Sequence, residues 1–156
     1  MARAMDEIVA RSMAKWPDVP DVYGWLSLDR RGNWLLQRQK IGNRALRDFI
    51  SRNYQPDARG RWYFQNGPQR VFVQLAYTPL VVHHEGEALY DHCGRPFEAL
   101  QAYLDEEGCL LMAGKPGIGL LDDRDLARYS ERAGELPSIA SGSLPERFGF
   151  VGNPAP

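Results

Sequence analysis

His83, His84 and His92 fall within one short stretch, with Asp91 and Cys93 flanking the last of them. Histidine, cysteine and aspartate are the side chains that hold transition metals. On a β-strand, however, neighbouring residues point to opposite faces, so His83 and His84 cannot easily chelate one ion together. A metal site would need one of them plus His92 or Cys93 across a turn. The spacing matches no zinc pattern. Surface imidazoles on an edge strand and loop are therefore the expected reading, with His83, His84 and His92 kept as weak metal candidates. A Cys–His nucleophile pair could use Cys93 or Cys109. Sequence adjacency of His92 and Cys93 does not supply hydrogen-bond geometry, and Cys109, in Gly-Cys-Leu-Leu, reads as a small core residue.

Other candidate chemistry is thinner. Lys115-Pro116-Gly117-Ile118-Gly119 is glycine-rich and carries a lysine. A phosphate cradle needs several free backbone N–H groups followed by a helix start, and Pro116 removes one donor. Those glycines fit a turn and close strand packing better. Asp122, Asp123 and Asp125 cluster where a helix should begin, a position the helix dipole already favours for acids. No nucleophile-elbow or dinucleotide pattern is present. No cofactor is implied, and no catalytic residue is assigned.

The most purposeful stretch is Arg61 to Val73. Two aromatic and β-branched runs flank a polar turn, which predicts a β-hairpin. Gln65, Asn66, Gln69 and Arg70 at its tip offer amide donors and acceptors and a forked cation. They are the candidate ligand- or partner-binding residues. Against this, Asn66-Gly67 is ordinary turn material, and Trp62, Phe64, Val71 and Val73 suit a core-facing side.

The elements that must position these groups read as follows. Met5, Ile8, Val9, Met13 and Trp16 recur at helical steps, so residues 1–16 form an N-terminal helical segment ended by Pro17 and Pro20. Val22–Leu28 and Trp34–Gln37 around Gly32 form a hairpin. Asn43 caps a helix reaching about Tyr54, with Leu46, Phe49 and Ile50 on one face. After the Arg61–Val73 hairpin comes Leu80–His84, then a hairpin through Asp105–Gly108 and a short strand at Gly117–Leu121. Asp122 caps a further helix to about Ala133, with Leu126 and Tyr129 inward. The Pro-, Gly- and Ser-rich remainder is extended apart from Arg147–Val151.

The chain has 156 residues, 44% hydrophobic and 25% charged, with a net charge of −1. That suits a single soluble domain with its own core. The near-neutral balance gives no bulk field toward nucleic acid or an anionic membrane, so neither is an expected partner. No apolar run approaches the ~20 residues of a membrane-spanning helix. Asp6-Glu7 interrupts any signal-peptide pattern, which points to the cytoplasm and to Cys93 and Cys109 as free thiols.

Leu28-Asp29-Arg30-Arg31-Gly32 echoes Leu104-Asp105-Glu106-Glu107-Gly108, with a Leu-Leu pair and a capped helix following each. The echo suggests an internal duplication with halves at residues 22–84 and 98–152, testable by laying 22–66 on 98–152. The Phe-Gln-Asn-Gly-Pro-Gln-Arg-Val centre of Trp62–Pro79, together with Leu104–Gly108 and Gly117–Leu126, resembles an uncharacterised bacterial family of unknown function. The resemblance covers most of residues 22–130 and implies a bacterial, cytoplasmic single domain without bringing an activity. The fold expected is α+β, antiparallel hairpins with about three packed helices. The function expected is a non-catalytic binding or regulatory module, which allows a homodimer through an exposed sheet edge. The alternative is a small enzyme or metal-binding protein using the His83/His84/His92 region.

Overall fold

The computed structural model describes residues 19–156. The helix expected before Pro17 lies outside them. Strands β1 (Val22–Leu28), β2 (Trp34–Leu36) and β3 (Gln39–Lys40) lead into helix α1 (Arg44–Arg52). Then come β4 (Tyr54–Pro56), β5 (Trp62–Asn66) and β6 (Gln69–Leu75), completing a six-stranded sheet in the order β3-β2-β1-β6-β5-β4. Strands β7 (Leu80–Glu85), β8 (Ala88–Asp91), β9 (Gln101–Leu104), β10 (Leu110–Gly114) and β11 (Gly117–Leu121) form a second sheet, ordered β8-β7-β11-β10-β9. Short 3₁₀ turns at Asp123–Tyr129, Ala133–Glu135 and Ser141–Ser143 precede helix α2 (Leu144–Phe148). The α+β class stands. The sheets are mixed, because β1 runs parallel to β6 and β7 parallel to β11.

The two sheets share one plan. In each, a hairpin (β1–β2, β7–β8) lies beside a three-strand meander (β4–β6, β9–β11), joined by the parallel contact. The meanders pair residue for residue: Tyr54↔Phe64 matches Ala102↔Met112, and Asn66↔Gln69 matches Gly114↔Gly117. On this plan Asp57 answers to Asp105. The sequence echo had instead set Asp29 against Asp105. Strand order does not support laying 22–66 on 98–152, since β1 is interior to its sheet and β9 is an edge. Likewise β7, assigned by sequence to the first half, belongs to the second sheet.

Asp29, Asp57, Asp91 and Asp105 each open a turn of one design. In every case Oδ1 accepts the backbone N–H groups two and four residues on. The glycine three residues on sits at φ between 80° and 83°, a left-handed conformation cheap only for glycine. Gly60 is doubly constrained, because an added Cβ would lie 2.0 Å from the carbonyl oxygen of Gly149.

One apolar core joins the sheets, including Leu26, Val73, Leu80, Val82, Leu111 and Ile118. Helix α1 forms as expected, with the Asn43 side chain accepting the Leu46 N–H at 2.9 Å and Ile50 buried. The helix expected after Asp122 is a 3₁₀ turn instead. Asp122 does accept the Arg124 N–H, but Leu126 is exposed and no residue of the turn is buried. Without an apolar face to bury, nothing favours the longer α-helical form. Arg147–Val151, set apart from the extended remainder in the sequence, contributes the end of α2 and a left-handed Gly149.

Candidate functional site

Turn chemistry builds the β5–β6 tip. Asn66 pairs with Gln69 around a two-residue turn, Gly67-Pro68, with Gly67 at φ 57°. Of the four residues singled out there, Gln65 is fully buried. Its Nε2 donates to the Gly67 carbonyl at 3.0 Å, so it braces the turn from inside, and its Oε1 is buried without a hydrogen-bond partner among the described residues. Gln69 donates to the Pro20 carbonyl at 3.2 Å, and the Arg70 guanidinium lies 5.0 Å over the Tyr63 ring. Asn66 faces solvent.

The histidines are drawn into separate surroundings. His92 packs edge-on against Trp34 and Tyr54, at centroid distances of 5.2 and 5.5 Å. Its Nδ1 accepts the Val81 N–H at 3.2 Å, which places the ring proton on Nε2, a buried atom without a hydrogen-bond partner among the described residues. Burial, reinforced by the nearby Arg95 charge, pushes its pKa down to about 3. Gly32 makes room for it, since a Cβ there would approach the His92 Cβ to 2.7 Å. His84 Nε2 meets the Tyr129 hydroxyl at 2.6 Å, and its backbone N–H donates to Asp125. His83 faces Tyr90 and lies 3.6 Å from Glu85. Among the described residues no three His, Cys, Asp or Glu side chains gather as a metal-binding group. Cys93 and Cys109 are not joined in a disulfide; burial and then Asp105 push Cys109 toward the protonated form.

Two concavities accompany these groups. A cavity of about 190 Å³ is walled by Pro56, Trp62, Pro79, Pro116 and Phe150, and its one ionisable lining residue, Asp57, is paired with Arg61 at 2.8 Å. A shallower one touches Asp105 and Glu106. Those carboxylates already accept from Tyr77 and Ser141.

Among the described residues an exposed surface lies elsewhere, on an arm from Leu36 to Asp48. Every residue of it except Ile41 is exposed. Ile41 anchors the arm through its N–H to the Trp34 carbonyl and by packing on the core. The turn from β2 to β3 is made by Gln37 and Arg38 at φ 50° and 72°. Both are left-handed, at roughly 1–2 kcal/mol each for residues with a Cβ. Arg38, Lys40, Arg44 and Arg47 stand on this arm. Asp48 is its single acid, 3.8 Å from Arg44. Leu36 and Leu46 are 46% and 40% exposed. Trp25 lies alongside, its carbonyl accepting the Gln37 N–H. A register shift in β1 around Gly24 turns the Trp25 ring outward.

The arm belongs to a wider charge division. Residues 30–70 hold ten arginines and lysines against two acids, while residues 85–135 hold twelve acids against five arginines and lysines. The first set lies on the six-stranded sheet and α1, the second mostly on the other sheet and the 3₁₀ turns. The net charge of −1 conceals this completely, and a count over windows of the sequence reveals it.

The model of the DUF2944 family, described as a protein of unknown function (DUF2946), matches residues 5–155. No curated protein matches the chain. Among solved structures, a DUF1285 family protein from Silicibacter pomeroyi DSS-3 is similar at 15% identity and a TM-score of 0.56, over 84% of this chain and 78% of that one. A second, from Shewanella baltica OS155, is similar at 14% identity and a TM-score of 0.51, over 68% of this chain and 90% of that one. At such identities the likeness is one of fold.

Proposed function

We propose that this chain, which belongs to the family of unknown function matched by its residues 5–155, is a non-catalytic binding or regulatory module that recognises an acidic surface through the Leu36–Asp48 arm. The observation that carries this reading is the arm itself: exposed, cationic, and held in a turn that a glycine would adopt without strain. Arginine and exposed tryptophan, here Arg38, Arg44 and Arg47 with Trp25 alongside, are enriched at recognition surfaces. Asn66, Gln69 and Arg70 form a lesser polar surface beside it in function, with Gln65 withdrawn into the turn.

Binding to poly-glutamate, followed by fluorescence anisotropy at low salt, tests this. Charge reversal at Arg38 and Arg47 (R38E/R47E) should weaken binding about tenfold or more, with the circular dichroism spectrum unchanged. Equal binding by the reversed arm would remove the proposal. The alternative enzyme or metal reading draws on the Nδ1 of His84, a buried atom without a hydrogen-bond partner among the described residues, and requires His92 to release the proton held on its Nε2. Stoichiometric metal in untagged protein, lost with His92→Phe or His84→Phe, would favour it instead.

A further inference from the structure

We infer that the acidic surface met by the arm is the β9 edge of a second copy of this chain. This inference rests on the proposed function and names its partner. The β9 edge and the chain leading into it carry apolar and acidic counterparts of the arm, alongside one cation, Arg147, whose guanidinium lies 4.9 Å over the Tyr103 ring. Leu100 is 62% exposed, more than any other large apolar side chain among the described residues. Glu98 stands exposed before it, and Glu106 and Glu107 are exposed just past the far end of the strand. The arm offers exposed Leu36 and Leu46 together with Arg38, Lys40 and Arg47. Apolar groups on one surface thus face apolar groups on the other, and cations face carboxylates.

The rest of the molecule favours a copy of itself over an unrelated polyanion. Nucleic acid or an anionic bilayer drawn to the basic sheet would also come near the acidic sheet of the same molecule, which repels it. A second copy placed antiparallel satisfies both regions at once, the arm of each copy meeting the β9 edge of the other. Such a contact is isologous and closes as a two-fold dimer. Strand β9 is also an edge of its sheet, only partly covered by the bridge between Leu104 and Ser138. An edge of that kind is a ready surface for docking.

Sedimentation equilibrium of the full chain tests the inference. At about 0.05 M salt the wild type should sediment at twice the 17.7 kDa chain mass. At about 1 M salt, where the screening length falls to about 3 Å, it should dissociate toward monomer. R38E/R47E and E98R/E107R, the latter leaving the Glu106 carboxylate on Ser141, should each be monomeric at low salt. Mixed together, these two variants should form a 1:1 heterodimer, because the reversed arm of one now complements the reversed edge of the other. A misfolded variant could not give that rescue. A wild type that stays monomeric at low salt, or variants that stay dimeric, would overturn the inference. If the monomeric wild type still bound poly-glutamate through Arg38 and Arg47, the proposed function would survive and only the partner would be wrong. If the arm variants bound poly-glutamate normally, the proposed function itself would fall.

Discussion

The β5–β6 tip and the β2–β3 turn of the arm are both two-residue turns on the same sheet, and they use their polar groups in opposite ways. At the tip, Gly67 supplies the left-handed residue, Gln65 turns inward to brace the loop, and Arg70 lies on Tyr63. At the arm, Gln37 and Arg38 take left-handed conformations that favour glycine or asparagine, and both side chains are exposed. A polar turn that satisfies itself is a structural device. A strained polar turn facing water is a better place to look for a partner.

The largest effect expected contrasts the buried polar groups with the arm under acid. His92 is ordinarily half-protonated near pH 6.5 but stays neutral in the folded chain down to about pH 3. The unfolded chain therefore takes up a proton that the folded one refuses, and stability falls as pH drops from about 6.5 to about 3. Asp122, held to about 2 by Arg124 against the opposing effect of burial, and Asp57, lowered by the N–H groups and guanidinium of Arg61 once burial is outweighed, extend the loss below about 4. The Tm should fall by roughly 10 °C between pH 7 and pH 4, as followed by calorimetry. His92→Phe should flatten the part of that slope above pH 4, while R38A/R47A should leave it intact. A slope unaffected by His92→Phe would mean that His92 is hydrated in the folded protein.

Next in size is Gln65→Ala, which should cost about 2–3 kcal/mol in urea unfolding through the lost brace and the space left behind. Gln65→Met keeps the volume and removes an unpaired buried oxygen, so it should be nearly neutral. A large loss for both would show that the amide, rather than its bulk, holds the tip. Arg38→Gly should act the other way. Relief of the left-handed strain, less the added freedom of the unfolded chain, should leave stability unchanged or up to about 1 kcal/mol higher, while binding to acidic partners weakens. The smallest effect expected is that of Arg47→Ala on stability, within about 0.5 kcal/mol, as for an exposed side chain without an ion pair among the described residues. A loss of 2 kcal/mol or more there would make the arm structural and end the contrast with the tip.

Much of the fold was legible in local chemistry. Alternation in Trp62–Phe64 and Val71–Val73 marks two strands, Asn43 marks the start of α1, and Asp-x-x-Gly marks turns. Each of these signals acts over a few residues. The β1–β6 and β7–β11 pairings were not legible, because β6 lies far along the chain from β1 and nothing in either strand names its partner. The echo was misaligned for the same reason. All four Asp turns look alike in sequence, and only strand order shows that Asp57, rather than Asp29, is the counterpart of Asp105. Leu126 was expected inward because its spacing from Tyr129 is helical, but a 3₁₀ turn does not keep the α-helical face.

By itself the sequence determined the elements, the turn types and, in its uneven distribution of charge, the existence of two oppositely charged regions. Backbone conformation and formal charge depend on each residue and its near neighbours, so they can be read locally. Only the tertiary structure decided which polar groups are free to meet a partner. Gln65 and Arg38 are comparable polar residues beside comparable turns. One is covered and the other is not, because exposure depends on what distant segments of the chain pack against each turn.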